Sequence, residues 1–275
     1  MLPAIRSMLF VSGEKPERFP KAFAAGADLV CIDLEDAVAP ALKQRARTDV
    51  LAFAAEPPAQ GLLAVRFNAL RTREGLADVQ ALLASAAHPD VIVLPKVESA
   101  AEVALAHAWV GDRCRALVAL VESPLGVENA AAIAAAPGLG ALMLGGADLS
   151  SELGAAFGWD GLFYARTRLL NAARVGGVQA WDVPHIDLRD LDALADETRR
   201  VAALGFDCKA AIHPSQVPVI HAAFRPAESE VARARALLQA LEQRGADGAG
   251  AFLFEGRMVD GPVLAHARRV VARAA

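Results

Sequence analysis

The feature that most constrains this chain is an alternation. Short apolar runs of strand length recur eight times, at 7–12, 28–33, 62–67, 90–95, 115–121, 141–146, 178–183 and 207–212. Between them lie stretches with helical spacing, roughly 16–25, 40–55, 72–86, 98–109, 126–135, 161–176 and 188–204. Pro16 and Pro40 stand where early-helix prolines belong, and Ser99 and Asp187 read as helix starts. Strand–helix units repeated in this way describe an α/β fold, the TIM (β/α)8 barrel. An open doubly wound sheet is the structural alternative. No G-x-G-x-x-G follows the first strand and no Walker loop occurs, so the nucleotide-binding versions of that sheet lose support.

The chain of 275 residues is long enough for such a barrel plus an appendage. No linker or low-complexity segment splits the first 225 residues, which form the expected barrel domain, 1–225. Residues 226–275 exceed what eight units need. They read as a long charged helix from Pro226 to Arg244, a glycine-rich turn at Gly245, Gly248 and Gly250, a short hairpin, and a last helix from about Pro262. Phe252, Phe254, Met258 and Val259 give this extension an apolar cluster, so it is expected to pack on a neighbouring subunit. A net charge of −4 leaves no footprint for nucleic acid. Cys31, Cys114 and Cys208 lack metal or redox spacing and read as small core residues of a reducing, cytoplasmic setting. The N-terminus lacks the basic region and length of a signal peptide. Residues 130–147 carry no charge, but Pro137, Gly138, Gly140, Gly145 and Gly146 interrupt them, so no membrane span is expected.

In this fold the chemistry gathers at the C-terminal ends of the strands. Those ends carry Asp33, Glu35 and Asp36 after the second strand, Arg66 and Asn68 after the third, Lys96 after the fourth, and Glu122 after the fifth. Asp148 follows the sixth strand, Asp182 the seventh and His213 the eighth. Isolated carboxylates beside buried apolar strands are costly without a partner. Glu122 and Asp148 at neighbouring strand ends therefore point to a hard divalent cation, with water and substrate completing its shell. Arg66 ends an otherwise apolar strand, where a guanidinium can grip a substrate carboxylate with two parallel hydrogen bonds. Gly145 and Gly146 let backbone approach a ligand closely, and the amides of Gly146 and Ala147 are candidates for binding the same carboxylate. Asp33, Glu35 and Asp36 read either as a solvated or capping cluster or as support around the metal. Lys96 reads as a counter-ion to those acids, while Asp182 and His213 also fit helix capping.

Seven strings carry a resemblance, in order and over nearly the whole chain: Arg-Ser-Met-Leu-Phe-Val-Ser-Gly (6–13), Cys-Ile-Asp-Leu-Glu-Asp-Ala-Val (31–38), Val-Arg-Phe-Asn (65–68), Leu-Pro-Lys-Val-Glu (94–98), Val-Glu-Ser-Pro-Leu-Gly (121–126), Gly-Gly-Ala-Asp-Leu (145–149) and Ala-Ile-His-Pro-Ser-Gln (211–216). Together they resemble the citrate lyase β-subunit-like proteins, which stand with malyl-CoA and citramalyl-CoA lyases. The resemblance implies a TIM barrel with a C-terminal extension, assembled as a homotrimer or hexamer. It implies Mg²⁺ held by Glu122 and Asp148, and a substrate carboxylate held by Arg66. Met258-Val259-Asp260-Gly261-Pro262 matches a string of the lyase members whose aspartate is lent to the next subunit's site, so the resemblance gives Asp260 that role. Departures fall at Ser12, at Ala147 and at Ser123 to Leu125, all bordering the pocket.

The expected function is a Mg²⁺-dependent carbon–carbon lyase acting on a 3-hydroxy dicarboxylic acyl-CoA. It would release a 2-oxo acid and acetyl-CoA by retro-Claisen chemistry, with Asp260 moving the proton of the thioester enolate. Glu35 or Asp36 would take the hydroxyl proton. Three other readings stay open: a citryl-cleaving subunit working with an acyl-carrier protein, a metal-dependent aldolase without a thioester, and a non-catalytic oligomeric scaffold.

Overall fold

The computed structural model describes residues 2–244 and 251–274. Eight parallel strands close into a barrel in sequence order: β1 (Ser7–Ser12), β2 (Leu29–Asp33), β3 (Leu62–Arg66), β4 (Val91–Leu94), β5 (Ala116–Val121), β6 (Leu139–Leu144), β7 (Gln179–Asp182) and β8 (Cys208–Ala211), with β8 pairing back onto β1. Each expected strand is present within a few residues of its place. The strands are buried on both faces, which is why they read as continuous apolar runs. Inward-pointing side chains mix large and small: Met8, Met143 and Trp181 fill space left by Ala64, Ala141 and Ala210. The Trp181 indole N–H donates to Gln179 Oε1 at 2.9 Å, so its burial leaves no orphan donor.

The surrounding helices are α1 (Phe19–Ala24), α2 (Lys43–Ala55), α3 (Arg73–Leu83), α4 (Ala100–Val110), α5 (Pro124–Glu128), α6 (Ala130–Ala134), α7 (Gly146–Leu153), α8 (Trp159–Gly176), α9 (Leu191–Leu204) and α10 (Gln216–Phe224). Pro16 and Pro40 each open a 3₁₀ turn ahead of α1 and α2, and Ser99 caps α4 through the Glu102 N–H. Asp187 does not start α9. Asp190 does, accepting from the Ala193 N–H at 2.8 Å, while Asp187 closes a tight turn on the Arg189 N–H. The expected helix 126–135 is two pieces, α5 and α6, that meet at Asn129. The Asn129 side chain leaves the helix line to donate to the Glu98 carbonyl at 2.8 Å. The chain also forms α7 and α10, for which the apolar periodicity gave no signal.

Two compact units divide the chain, Met1–Ile220 and His221–Ala275. The second contains α11 (Glu228–Gln243), an antiparallel hairpin of β9 (Phe252–Phe254) and β10 (Arg257–Val259), and α12 (Gly261–Ala274). Its own core is Ala234, Leu237, Phe252, Val259, Ala267 and Val270. The glycine-rich turn at Gly245, Gly248 and Gly250 lies outside the described residues. Among the described residues no helix is long and apolar enough to cross a membrane. The three cysteines are free thiols, and burial raises each of them, Cys114 up to about 11, so they are inert core groups at neutral pH.

Candidate active site

The C-terminal mouth of the barrel opens into a cavity of about 400 Å³. Asp33, Asp36, Arg66, Glu122 and Asp148 line it, with Gly145, Gly146 and Ala147 beside them. Most of the candidates drawn from the sequence thus converge on one cavity. Glu35 stands just behind this lining, buried against Arg66 and Lys96. Asp260 belongs to the second unit, at the start of α12, where its carboxylate accepts from the Val263 N–H at 3.3 Å.

Asp33 and Arg66 face each other because they are register partners across β2 and β3. Arg66 Nε and Nη2 donate to the two Asp33 carboxylate oxygens, both at 2.6 Å. The two-pronged grip expected for a substrate carboxylate is therefore used first inside the protein. Nη1 lies 3.1 Å from Glu35 Oε2, an oxygen that has no well-aligned hydrogen bond of its own. Burial alone would lower the Arg66 pKa, but Asp33 and Glu35 outweigh it and hold the guanidinium charged. Asp33 also accepts from the Glu35 and Ala37 N–H groups, so it fixes the loop that presents Glu35 and Asp36. Lys43 reinforces that loop from α2, donating to the carbonyls of Leu34 and Glu35 and to Asn68 Oδ1, each at 2.7 Å.

Glu122 follows β5, whose last pairing sets Val121 opposite Leu144 of β6. That register brings Gly145 against the Glu122 side chain. A Cβ at Gly145 would lie 2.4 Å from Glu122 Cβ and 2.6 Å from Oε2, so no other residue fits there without displacing the carboxylate. β6 ends at Leu144, and Asp148 lies in the first turn of α7 instead of at a strand end. The residues after β6 that read as a loop are a helix N-terminus. The amides of Gly146, Ala147 and Asp148 have no intrahelical partner there, and the positive end of the helix dipole lies beside the cavity.

Lys96 occupies a left-handed backbone conformation, φ 55°, uncommon for a side chain of its kind. Its peptide groups are tied on both sides. The N–H donates to Glu122 Oε1 at 2.8 Å, and the carbonyl accepts from Arg71 Nη2 at 2.8 Å. Its ammonium lies 3.1 Å from Glu35 Oε1, 3.4 Å from Asp148 Oδ2 and 3.7 Å from Asp36 Oδ1. One cation is thus shared by three acids, and Lys96 is the counter-ion anticipated from its place in the sequence. Burial and the adjacent charge of Glu35 and Asp148 push Glu122 up to about 8, against the pull of the Lys96 amide and Arg66. Burial first, then Asp36, also raises Glu35.

This donor set fits a hard divalent cation. The acids outnumber the bases, every donor is oxygen, and Glu122 is held in a position where its own charge is disfavoured until a cation compensates it. Among the described residues no three His, Cys, Asp or Glu side chains are grouped to hold a metal. Glu122 and Asp148 would leave the remaining coordination to water and substrate, the habit of Mg²⁺.

Two other strand-end candidates play a different part. Asp182 is fully buried and accepts from Arg166 Nε at 2.8 Å and Lys209 Nζ at 2.9 Å, in the layer between barrel and helices. His213 is exposed and pairs with the Ser215 hydroxyl. The cavity also has an apolar lining not among the expected site residues: Phe10, Leu120, Met143, Phe157, Pro184, Ile186 and Ile212. Phe10, Leu120 and Met143 could be read from strand alternation. Phe157 and Ile186 sit in loops with no periodic signal.

A closed (β/α)8 barrel whose mouth joins an acid pair fit for a divalent cation to an arginine and a helix N-terminus defines an enzyme of the aldolase and lyase class. Residues 6–214 match the HpcH/HpaI aldolase/citrate lyase family, and the chain belongs to it. It is 40% identical over 273 residues to a citrate lyase subunit beta-like protein of Mycobacterium tuberculosis, covering 97% of this chain and 94% of that one. It is 36% identical to a (3S)-malyl-CoA thioesterase of Cereibacter sphaeroides, over 98% of this chain and 94% of the relative. Among solved structures, CitE of M. tuberculosis in complex with magnesium, acetoacetate and coenzyme A superposes with a TM-score of 0.85 at 40% identity, covering 98% of each chain.

Proposed function

We propose that this protein is a Mg²⁺-dependent carbon–carbon lyase that cleaves a 3-hydroxy dicarboxylic acyl-CoA of the malyl, citramalyl or citryl type. The observation that carries the reading is the Glu122–Asp148 pair beside Arg66 and the N-terminus of α7, all on one cavity. The magnesium, acetoacetate and coenzyme A bound by the M. tuberculosis relative support both the metal and the thioester.

Glu122 and Asp148 would hold the cation. When bound, Mg²⁺ supplies Lewis-acid polarisation of the substrate's hydroxyl and neighbouring carboxylate. Arg66, its plane fixed by Asp33 and its Nη1 beside Glu35, would turn its remaining N–H groups to that carboxylate. The free amides at the start of α7 offer further donors to the same group. Glu35, just behind the cavity lining, would take the hydroxyl proton through a bridging water. Its Oε2 lacks a well-aligned partner, and burial raises its carboxyl above the ordinary value, which strengthens it as a proton acceptor. Asp36, exposed at the cavity edge, is the alternative acceptor. As the proton leaves, the bond between the hydroxyl carbon and the thioester's α-carbon breaks. The hydroxyl carbon becomes the carbonyl of a 2-oxo acid, and the electron pair passes to the thioester enolate. A proton delivered to the α-carbon completes acetyl-CoA, and by its family resemblance Asp260 is the donor.

The test is direct. Purified chain, with and without Mg²⁺, is given malyl-, citramalyl- and citryl-CoA, and the 2-oxo acid is measured. Magnesium-dependent release from one of the three is expected. No 2-oxo acid from any of them would overturn the reading.

A further inference from the structure

The string Ala-Ile-His-Pro-Ser-Gln (211–216) finds no use in the chemistry above, yet it contains one of the most completely buried polar side chains of the barrel, Gln216. Gln216 opens α10. Its Oε1 accepts from the Ile212 N–H at 2.8 Å and from the His213 N–H at 3.3 Å. Its Nε2 donates to the His185 carbonyl at 2.8 Å. One primary amide thus ties the loop after β8 to the loop after β7, using acceptor and donor together. A hydroxyl is too short for this span, and a carboxylate has no donor.

The tied loops carry Pro184, Ile186 and Ile212, all on the cavity. The lining is divided by strand order. The arc from β2 to β6 supplies Asp33, Asp36, Arg66, Glu122 and Asp148. The arc β7–β8–β1 supplies Pro184, Ile186, Ile212, Phe10 and Val11, with Ser12 its one polar member. The loop after β7 is also held from below. Lys209 Nζ donates to the Val183 carbonyl at 2.9 Å, and the His185 ring meets Glu197 at 2.8 Å. Gln216 joins this anchored loop to its neighbour.

We propose that Gln216 is a positioning residue that clamps the β7 and β8 loops together, so that Pro184, Ile186 and Ile212 stand as one apolar wall against the uncharged arm that carries the thioester sulfur. The inference rests on the lyase reading for the identity of that substrate, while the clamp itself is independent of it. A wall touching the uncharged arm beyond the thioester sulfur, away from the carbonyl where the enolate charge develops, binds ground state and transition state alike. Its loss raises KM and spares kcat.

The experiment compares wild type with Gln216→Met, and separately with Ile186→Ala and Ile212→Ala. The isoleucines are 61% and 41% exposed, so their truncation leaves the fold intact. Amide hydrogen exchange is followed without substrate, and kcat, KM and Mg²⁺ affinity are measured on the thioester that wild type cleaves. For Gln216→Met we expect faster exchange at Ile212 and His213, KM raised on the order of tenfold, kcat within about twofold and Mg²⁺ affinity unchanged. The isoleucine variants should raise KM in the same way. Unchanged exchange, or loosened loops with unchanged KM, overturns the proposal. If Gln216→Met fails to fold, unchanged KM in both isoleucine variants overturns it instead. If wild type cleaves none of the thioesters, the lyase reading falls, and exchange at Ile212 and His213 alone decides whether the clamp exists.

Discussion

Two acids, one glycine and one arginine show how narrowly the site is drawn at the level of single residues. Glu122→Gln and Asp148→Asn should each weaken Mg²⁺ binding on the order of 10–100-fold or more by calorimetry. Neither should lower Tm appreciably, because burial already disfavours charge at Glu122 and Asp148 is half exposed. Unchanged affinity in both variants would remove them as ligands. Gly145→Ala tests the same point without altering any charge. Its methyl would lie 2.4 Å from Glu122 Cβ, so it must push the carboxylate aside and imitate Glu122→Gln in metal affinity. Arg66→Lys keeps the charge but loses the planar fork that Asp33 now fills at 2.6 Å on both prongs. A point charge cannot hold that plane and still reach the substrate. We expect kcat/KM to fall about 100-fold, the cost of a displaced reacting group. Near-wild-type kcat/KM would contradict the role.

Between the barrel and its outer helices, α8, α9, β7 and β8 are joined by ionic contacts instead of by oil alone. Arg166 and Lys209, both fully buried, converge on Asp182, and Glu197 joins them from α9. Burial alone would raise the Asp182 pKa, but Lys209 and then Arg166 overturn it, so its folded pKa lies below the ordinary value. A depressed acid pKa contributes stability above the unfolded pKa, about 3.9, and loses it as pH falls through the folded value. Asp182→Asn leaves two buried cations short of a charge and should cost about 3–5 kcal/mol at neutral pH. The Tm gap between wild type and variant should be widest above about pH 4 and close below it. A gap constant from pH 3 to pH 7 would refute the linkage. This layer also marks where the sequence stops being legible. The strand positions could be read because each is a short apolar run ended by a polar residue, and most candidate site residues stood at those ends. The Asp33–Arg66 pairing depends on β2–β3 register, which no linear pattern encodes. The left-handed turn at Lys96 is imposed by Glu122 and Arg71 from distant parts of the chain. Helix α7 was hidden because glycine at its first position has poor helical propensity, although the fold needs glycine there. A Cβ on Gly146 would lie 2.7 Å from Leu162 and 2.8 Å from Val183.

For the molecule as a whole, the second unit brings an apolar surface of its own. Its helices and hairpin bury a small core, yet Leu253 and Met258 of the hairpin remain 73% and 71% exposed. Apolar side chains on a two-stranded hairpin are costly in water, and a second copy of the chain is the partner that the family resemblance implies. On this view each site is completed by Asp260 of a neighbour. Asp260→Asn should bind Mg²⁺ and substrate normally and turn over far more slowly, because only proton delivery to the enolate loses its group. Whether the aspartate crosses between chains is decided by mixing. Asp260→Asn chains keep an intact metal pair and lack the acid, and Glu122→Gln chains have the reverse defect. Each should be nearly inactive alone. If the site is shared, oligomers that have exchanged subunits contain some sites with Glu122 from one chain and Asp260 from another, and activity returns as exchange proceeds. Differently labelled chains, followed by native mass spectrometry, establish that exchange has occurred. Exchanged oligomers that recover no activity would mean that Asp260 serves its own chain or has no part in the reaction.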